Sequence, residues 1–506
     1  MPQDVFSDGF VNLCIDTSLN IAAGTTPILV EGQYVPNILL AQPIVPDVKI
    51  QIDSPLYIDQ MFTAGSVLAE GLKVIFAQCP QGLVVNVLPR LDNAAAVKSA
   101  YTLTVAGPAT SAGVVEYFMG QDKWAVSVNV ALADTAATIA TNLAAAIPAD
   151  FPYTAVVAAN VITLTAKNGG TVGNFFNPVY NWQGLQNFAP SGVSITVAQT
   201  VVGATDPVAI SYQNALGVCC FSVYALLCGD ALLKTNLRDW IRSQWACNVP
   251  QCFGHGYVYD NGTVGQVLAA GDGHTGELNR LAYPVNDVNY PWMLTANQAA
   301  LRACTVVANP ELSMQGTTYG LMSAVWRPES CVAPWSYVDQ LALVAAGFNV
   351  YGPAQGGQGS LTNPYVYNDV TNWILDSLNR PNYTFQGTNS RFLTAATAIE
   401  VATQLKTIQG LGLYTKNTKV AIGTKGTNVN MIYASFVSWA RSKVGTLFSE
   451  FTNYQKDITL QSDFDKASPC YGKPGVLWLR MKYRPPVRIV AVNTSLAPAL
   501  LDNCVR

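Results

Sequence analysis

Along the chain, the spacing of apolar residues changes period several times. In GSVLAEGLKVIFAQCP, from Gly65, residues Val67, Leu68, Leu72, Ile75 and Phe76 share one helical face, and Pro80 closes it. GLVVNVLPR follows as a continuous apolar run of strand length, the mark of a strand covered on both faces. Together they predict a helix-to-strand step of an α/β layer. Before them, residues 1–50 carry several prolines and short runs such as TPILVEG and NILLAQPIV without a sustained helical period. That pattern predicts an extended arm with short strands.

From Asp92 to Asp206 the residues become small, β-branched and almost uncharged. Strands are predicted at Tyr101 to Val105, Val114 to Phe118 and Trp124 to Val130. A helix follows with Asp134 as N-cap and Ile139, Leu143 and Ile147 on one face, ended by Pro148. YTAVVAANVITLTA and the NGG turn at Asn168 to Gly170 then read as strands around tight turns. After Asp206, GVCCFSVYALL, DALLKTNLRDWIRSQW, CFGHGYVYD, GTVGQVLAAG, LNRLAYPV and WMLTANQAALRACTVVA alternate strand with helix. Such alternation predicts a mostly parallel sheet covered on both faces. The β-rich stretch is therefore an insertion in an α/β core.

The Gly/Pro-rich passage Tyr351 to Pro364 marks a boundary. Beyond it, two helical patterns precede the closing strands KDITLQS and GVLWLRMKYRPPVRIVAVNTSL. The fold class expected is multidomain α/β and α+β. An extended arm covers residues 1–50, and a discontinuous α/β core covers 51–91 and 207–360. The β-rich insert spans 92–206, an α+β C-terminal domain 361–496, and a C-terminal arm 497–506.

Composition narrows the function classes. Of the 506 residues only 12% are charged, about half the usual share, and 50% are hydrophobic. Such a surface is neutral and polar or packed against other subunits. The net charge of -3, with no Lys/Arg-rich block, argues against nucleic acid as a partner. The most apolar stretch, Asn214 to Gly229, is shorter than the ~20 residues of a membrane span, and the N-terminus lacks a signal-peptide pattern. No membrane partner is expected, and synthesis in the cytoplasm is.

Catalytic and metal chemistry find little support. His255 and His274 are the two histidines. Asp272, His274 and Glu277 crowd one loop, whereas a triad is assembled from distant segments. Cys247, Cys252 and His255 are ligand-like in type but lack a fourth ligand and paired CxxC spacing. GPAQGGQGS and GTKGT lack the strand and helix context of a phosphate loop. The reading is of no enzyme, no cofactor and no metal. Eleven cysteines leave at least one unpaired within the chain, and Cys219 and Cys220 are expected on a buried strand, pointing to opposite faces.

The segments GSVLAEGLKVIFAQCPQGLVVNVLP, YTLTVAGPATSAGVVEYFMG, DTAATIATNLAAAIP and VITLTAKNGGTVGN, in this order, resemble the contractile tail sheath proteins of bacteriophages, of the Mu-like type. That resemblance implies a structural subunit of the virion tail, assembled in the host cytoplasm. Such subunits stack as hexameric rings around the tail tube and contract to drive it through the host envelope. The implied partners are further copies of the chain, joined by exchange of terminal strands, the tail tube protein, and the baseplate and tail terminator proteins. A C-terminal domain placed innermost would turn Arg441 and Lys443 towards the tube. Terminal arms that meet neighbours would bring Cys14 and Cys504 to one seam, with Cys470 as alternative partner, as candidates for disulfides between subunits. Two other classes stay open on the residues alone: a cytoplasmic hydrolase using His255 or His274, and a different self-assembling surface or fibre protein.

Overall fold

Ile28, Leu29 and Val30 are fully buried, and the strand that carries them, Thr26–Gln33, lies inside a six-stranded sheet. In this computed structural model residues 26–308 are described except 38–42, 79–83, 182–187, 218, 220, 245–253 and 286. Outside that span the described residues are 6–7, 10–16, 314, 335–352, 365–381 without 367, 376 and 377, and shorter pieces between 387 and 483. The chain forms two compact units, the larger made of Asn20–Pro310 and Met314–Ile374.

In the larger unit the sheet order is Leu278–Pro284, His255–Gly262, Phe221–Leu226, Thr26–Gln33, Val85–Arg90 and Ile50–Ile52. The first five strands run parallel, and Ile50–Ile52 closes one edge antiparallel. Placing Thr26–Gln33 at the middle corrects the expectation of an extended arm over residues 1–50. Pro27 and Gly32 make the segment look like a broken run, yet Ile28 pairs with Val85 on one side and Val223 on the other. Pairing with two segments far along the chain decides its place, and no local pattern reports that.

Both faces of the sheet are covered. A Cβ on Gly256 would stand 3.1 Å from Ile241 and 3.3 Å from Leu237, so the helix Ala231–Gln244 packs closely on that face. The next residue, Tyr257, projects to the opposite face, where the helix Pro291–Ala308 packs against this strand. There the helix Val67–Gln78 packs beside Pro291–Ala308, with Gly71 near Ala296. The short helix Val264–Ala270 opens on a capping box between Thr263 and Gln266.

The described residues of 100–201 form two further antiparallel sheets and one α-helix. The four-stranded sheet has the order Ser194–Val201, Ala100–Ala106, Val161–Ala166 and Tyr153–Ala158. The three-stranded sheet has the order Val179–Tyr180, Gly113–Phe118 and Val126–Val130. Trp124 lies in a 3-10 turn before the last of these, not in the strand. The helix Ala136–Ala146 is capped by Thr135, whose hydroxyl accepts from Thr138 N at 3.2 Å. Asp134, expected as the cap, instead accepts from Ala131 N at 2.8 Å and closes the preceding turn, where Ala133 has φ of 71°. Both residue types cap well, and the turn claims the first of them.

Cys219 also departs from expectation. The strand starts at Phe221, so Cys219 precedes it, half-buried, with Lys49 Nζ 3.2 Å from its sulfur. Cys220 lies outside the described residues.

The smaller unit is Met1–Leu19, Glu311–Ser313 and Leu375–Arg506. Its four-stranded antiparallel sheet has the order Phe6–Ser7, Phe10–Asp16, Leu477–Tyr483 and Ile458–Ser462. The helix Val429–Ser442 packs near Ile458–Ser462. The proline pair Pro485 and Pro486 and most of the other predicted C-terminal helix lie outside the described residues.

Candidate functional site

An open parallel sheet offers a ligand crevice at the carboxyl ends of its strands, where the strand order reverses. Here that place falls between Thr26–Gln33 and Phe221–Leu226. The chain fills it. Leu227 is fully buried, its N–H donates to Glu31 O at 2.9 Å, and its side chain lies against Gly32 and Gly71. A Cβ on Gly71 would approach Leu227 Cδ1 to 2.5 Å, so glycine is what admits the leucine.

Beside it the inserted segment closes over the core. Gln33 Nε2 donates to Asp92 Oδ1 and to Gly169 O, both at 2.8 Å. Asp92 also accepts from Gly169 N at 2.7 Å and from Asn168 Nδ2 at 3.1 Å. The Asn168 side-chain oxygen Oδ1 in turn accepts from Val67 N at 2.9 Å, at the first residue of the helix Val67–Gln78. A helix N-terminus is a natural anion site, and here a side chain of the insert occupies it. Asp206, at the other end of the insert, accepts from Thr171 N at 2.7 Å and Thr171 Oγ1 at 2.8 Å. Both boundary carboxylates therefore hold one loop, Asn168 to Thr171. A cavity of about 10 Å³ remains nearby, lined in part by Tyr153, Asn168, Tyr290 and Trp292. That is room for a single water, not for a substrate.

Charged side chains surround this joint. Buried Glu70 accepts from Gly65 N at 3.0 Å and pairs with Lys73 at 2.8 Å and with Lys123. Lys123 also reaches Asp150 at 2.8 Å; burial pushes the Asp150 carboxyl up, but Lys123 outweighs it and the net direction is down. Lys167 donates to Ala64 O and Ala149 O, and burial lowers its pKa. In the core, Glu31 is held by Arg90 and Tyr212, yet burial still raises its pKa above 4.5. Asp260 takes Lys234 at 2.6 Å and Arg280 Nε at 2.7 Å. For Asp260 burial pushes the carboxyl up, but the two cations outweigh it and hold its pKa below the usual 3.8.

The sequence candidates fall elsewhere. His255 is buried on its strand with its ring 5.4 Å from that of Tyr257. Asp272 accepts from His274 N at 3.0 Å and Thr275 Oγ1 at 2.6 Å, whereas Glu277 holds Arg242. The crowded loop is thus divided between a turn and an ion pair. Cys247 and Cys252 lie outside the described residues. Among the described residues no group of three or more His, Cys, Asp or Glu side chains could hold a metal ion. Arg441 is exposed in the last turn of Val429–Ser442, and Lys443 pairs with Glu400 at 3.0 Å. Cys14 stands opposite Arg480 in the terminal sheet, and Cys470 and Cys504 are outside the described residues. Sequence reasoning marked Asp92, Asn168 and Asp206 only as a boundary and a turn. The acidic residue at each boundary and the NGG between them were the available signal.

Comparison with known proteins returns the class that the sequence resembles, the phage tail sheath proteins of the Mu-like type. One relative is the Mu-like prophage FluMu tail sheath protein of Haemophilus influenzae, 25% identical over 300 residues. The match spans 59% of this chain and 60% of that relative. A solved sheath tail protein from Desulfitobacterium hafniense aligns over 91% of this chain and 96% of its own, at 13% identity and a TM-score of 0.43, too low for one fold to stand for the other. No protein-family profile matches the chain.

The Asp260 cluster generates a test. Its folded pKa is depressed, so its stabilisation is complete above the ordinary value of 3.8 and is lost as pH falls through the lower folded value. Asp260→Asn strands two buried cations and should cost about 3–5 kcal/mol at pH 7 in urea unfolding. The gap to wild type should narrow between pH 5 and pH 2; a constant gap would refute the assignment.

Proposed function

We propose that the chain is the structural subunit of a contractile phage tail sheath. It polymerises as stacked hexameric rings around the tail tube and contracts to drive the tube through the host envelope. The observation that carries this reading is the 300-residue match to a tail sheath protein. A charged fraction of 12% supports it, because a surface used for repeated subunit contacts gains from having few charges to desolvate. The subunit belongs to the virion tail and is assembled in the host cytoplasm. Its partners are further copies of itself, the tube protein, and the baseplate and tail terminator proteins.

In this reading the insert, 92–206, is the outer domain, and the α/β core takes residues from Thr26 onwards. The C-terminal region 361–496 is the inner domain, and the terminal segments exchange strands with neighbouring subunits. Arg441 and Lys443 face the tube. Cys14 and Cys504 link subunits, with Cys470 as the alternative partner, in the oxidising surroundings that a released virion meets.

Electron microscopy of the purified chain decides the main claim. Tubes or stacked rings are expected, and discrete monomers at high concentration would exclude a sheath. Arg441→Glu with Lys443→Glu should leave the thermal unfolding transition in place while reducing assembly on isolated tubes by about tenfold, the effect of some 1.4 kcal/mol per subunit. Equal assembly would remove these residues from the tube face. Thiol-blocked particles on a non-reducing gel should show multimers that collapse with reductant; monomer alone would dismiss the intersubunit disulfides.

A further inference from the structure

The joint between insert and core turns on two adjacent residues, Asn168 and Gly169, and the fold dictates both. A Cβ on Gly169 would come to 2.6 Å from that of Ala96, so no larger residue fits there. Asn168, buried, must donate and accept at once: Nδ2 donates to Asp92 Oδ1 at 3.1 Å, and Oδ1 accepts from Val67 N at 2.9 Å. A side-chain amide supplies both groups from one short side chain. Packing and hydrogen bonding thus converge on the dipeptide Asn-Gly.

Asn-Gly is chemically labile, because glycine has no side chain to hinder attack by its own backbone nitrogen. A bond forms between Gly169 N and Asn168 Cγ, the bond from Cγ to Nδ2 breaks, and the proton given up by Gly169 N leaves with Nδ2 as ammonia. Water then opens the succinimide ring at one carbonyl or the other, leaving aspartate or isoaspartate. In the folded chain every reacting group is engaged. The nucleophile, Gly169 N, donates to Asp92 Oδ2 at 2.7 Å, the leaving Nδ2 donates to the other oxygen of that carboxylate, and Oδ1 is held at the helix N-terminus. Ring closure needs the nitrogen to turn out of its amide plane and the side chain to swing onto it, so these bonds are given up first. Losing hydrogen bonds to a carboxylate makes the open form rarer by at least about tenfold.

We propose that Asn168–Gly169 is a latent self-modification site that the joint holds shut, and that its conversion loosens the insert irreversibly. Aspartate at position 168 has no donor for Asp92 and sets a second carboxylate against it. Isoaspartate lengthens the backbone by one methylene between the two residues, so the side chain and Gly169 N no longer reach both anchors. Either product unmakes the contact that seats the insert on the helix Val67–Gln78. The inference rests on covalent chemistry and holds whether or not the chain polymerises.

The test follows ammonia loss and isoaspartate by peptide mass spectrometry of the full-length protein, held below its unfolding temperature. A second Asn-Gly, Asn261–Gly262 at the end of a core strand, reports in the same samples whether the core itself opens. Conversion at Asn168 should be at least about tenfold slower in the folded wild type than in urea. Asp92→Ala should recover most of that factor at Asn168 and leave Asn261 unchanged. Should this variant fail to fold, Gln33→Ala, which removes a donor to both Asp92 and Gly169 O, takes its place. An unchanged rate at Asn168, or a parallel rise at both sites, would overturn the proposal. The product is tested directly by Asn168→Asp, which should lower the urea midpoint and hasten protease cleavage beside Asp92 and Asp206, whereas Asn261→Asp should do neither. An unchanged midpoint and cleavage rate in Asn168→Asp would overturn the loosening.

Discussion

The hydrogen bonds that run from Gln33 through Asp92 and Asn168 to the first turn of the helix Val67–Gln78 fix where the insert stands on its core. They start at the carboxyl end of the central strand and finish at a helix N-terminus, the two features that α/β proteins ordinarily devote to ligands. Using them for an internal joint ties the insert to the most buried part of the sheet. Glu70 and Lys123 extend the joint with an ion pair partly shielded from solvent, where screening by salt is weakest. A load on the insert is therefore passed to the sheet through short polar contacts, with Leu227 filling the space a substrate would have used.

Much of this fold is legible in the sequence because most elements advertise their period. The helix Val67–Gln78, the strand Val85–Arg90 and the strands and helix of residues 100–166 follow from local spacing. Thr26–Gln33 does not, since its identity depends on partners far along the chain and Pro27 obscures the run. The cap of Ala136–Ala146 and the position of Cys219 fail at the scale of one or two residues, where competing turn chemistry decides. The joint itself was hidden for a related reason. Asp92 and Asn168 are separated by 76 residues, and only the closed antiparallel strands bring them together.

Charge economy joins the interior to the surface. Glu31, Glu70, Arg90, Lys234, Asp260, Arg280, Arg302 and Asp369 are all buried, and most of them satisfy one another. In a chain with 12% charged residues, each one placed inside leaves the exterior more neutral. Buried pairs of this kind add little net stability, but removing one partner is costly, so they specify an arrangement more than they strengthen it. Specificity inside and neutrality outside are thus compatible demands on one chain.

One sheet places Phe10–Asp16 beside Leu477–Tyr483, so a strand is completed by one made hundreds of residues later. During synthesis at about 5–20 residues per second, the early strand waits on the order of half a minute to a minute and a half for its partner. Throughout that interval the Asn20–Pro310 segment can fold while the smaller unit cannot close. A polysome carrying several nascent chains thus displays several open copies of Phe10–Asp16 at once. The order of translation thus sets how long that strand stands open before its own partner is made.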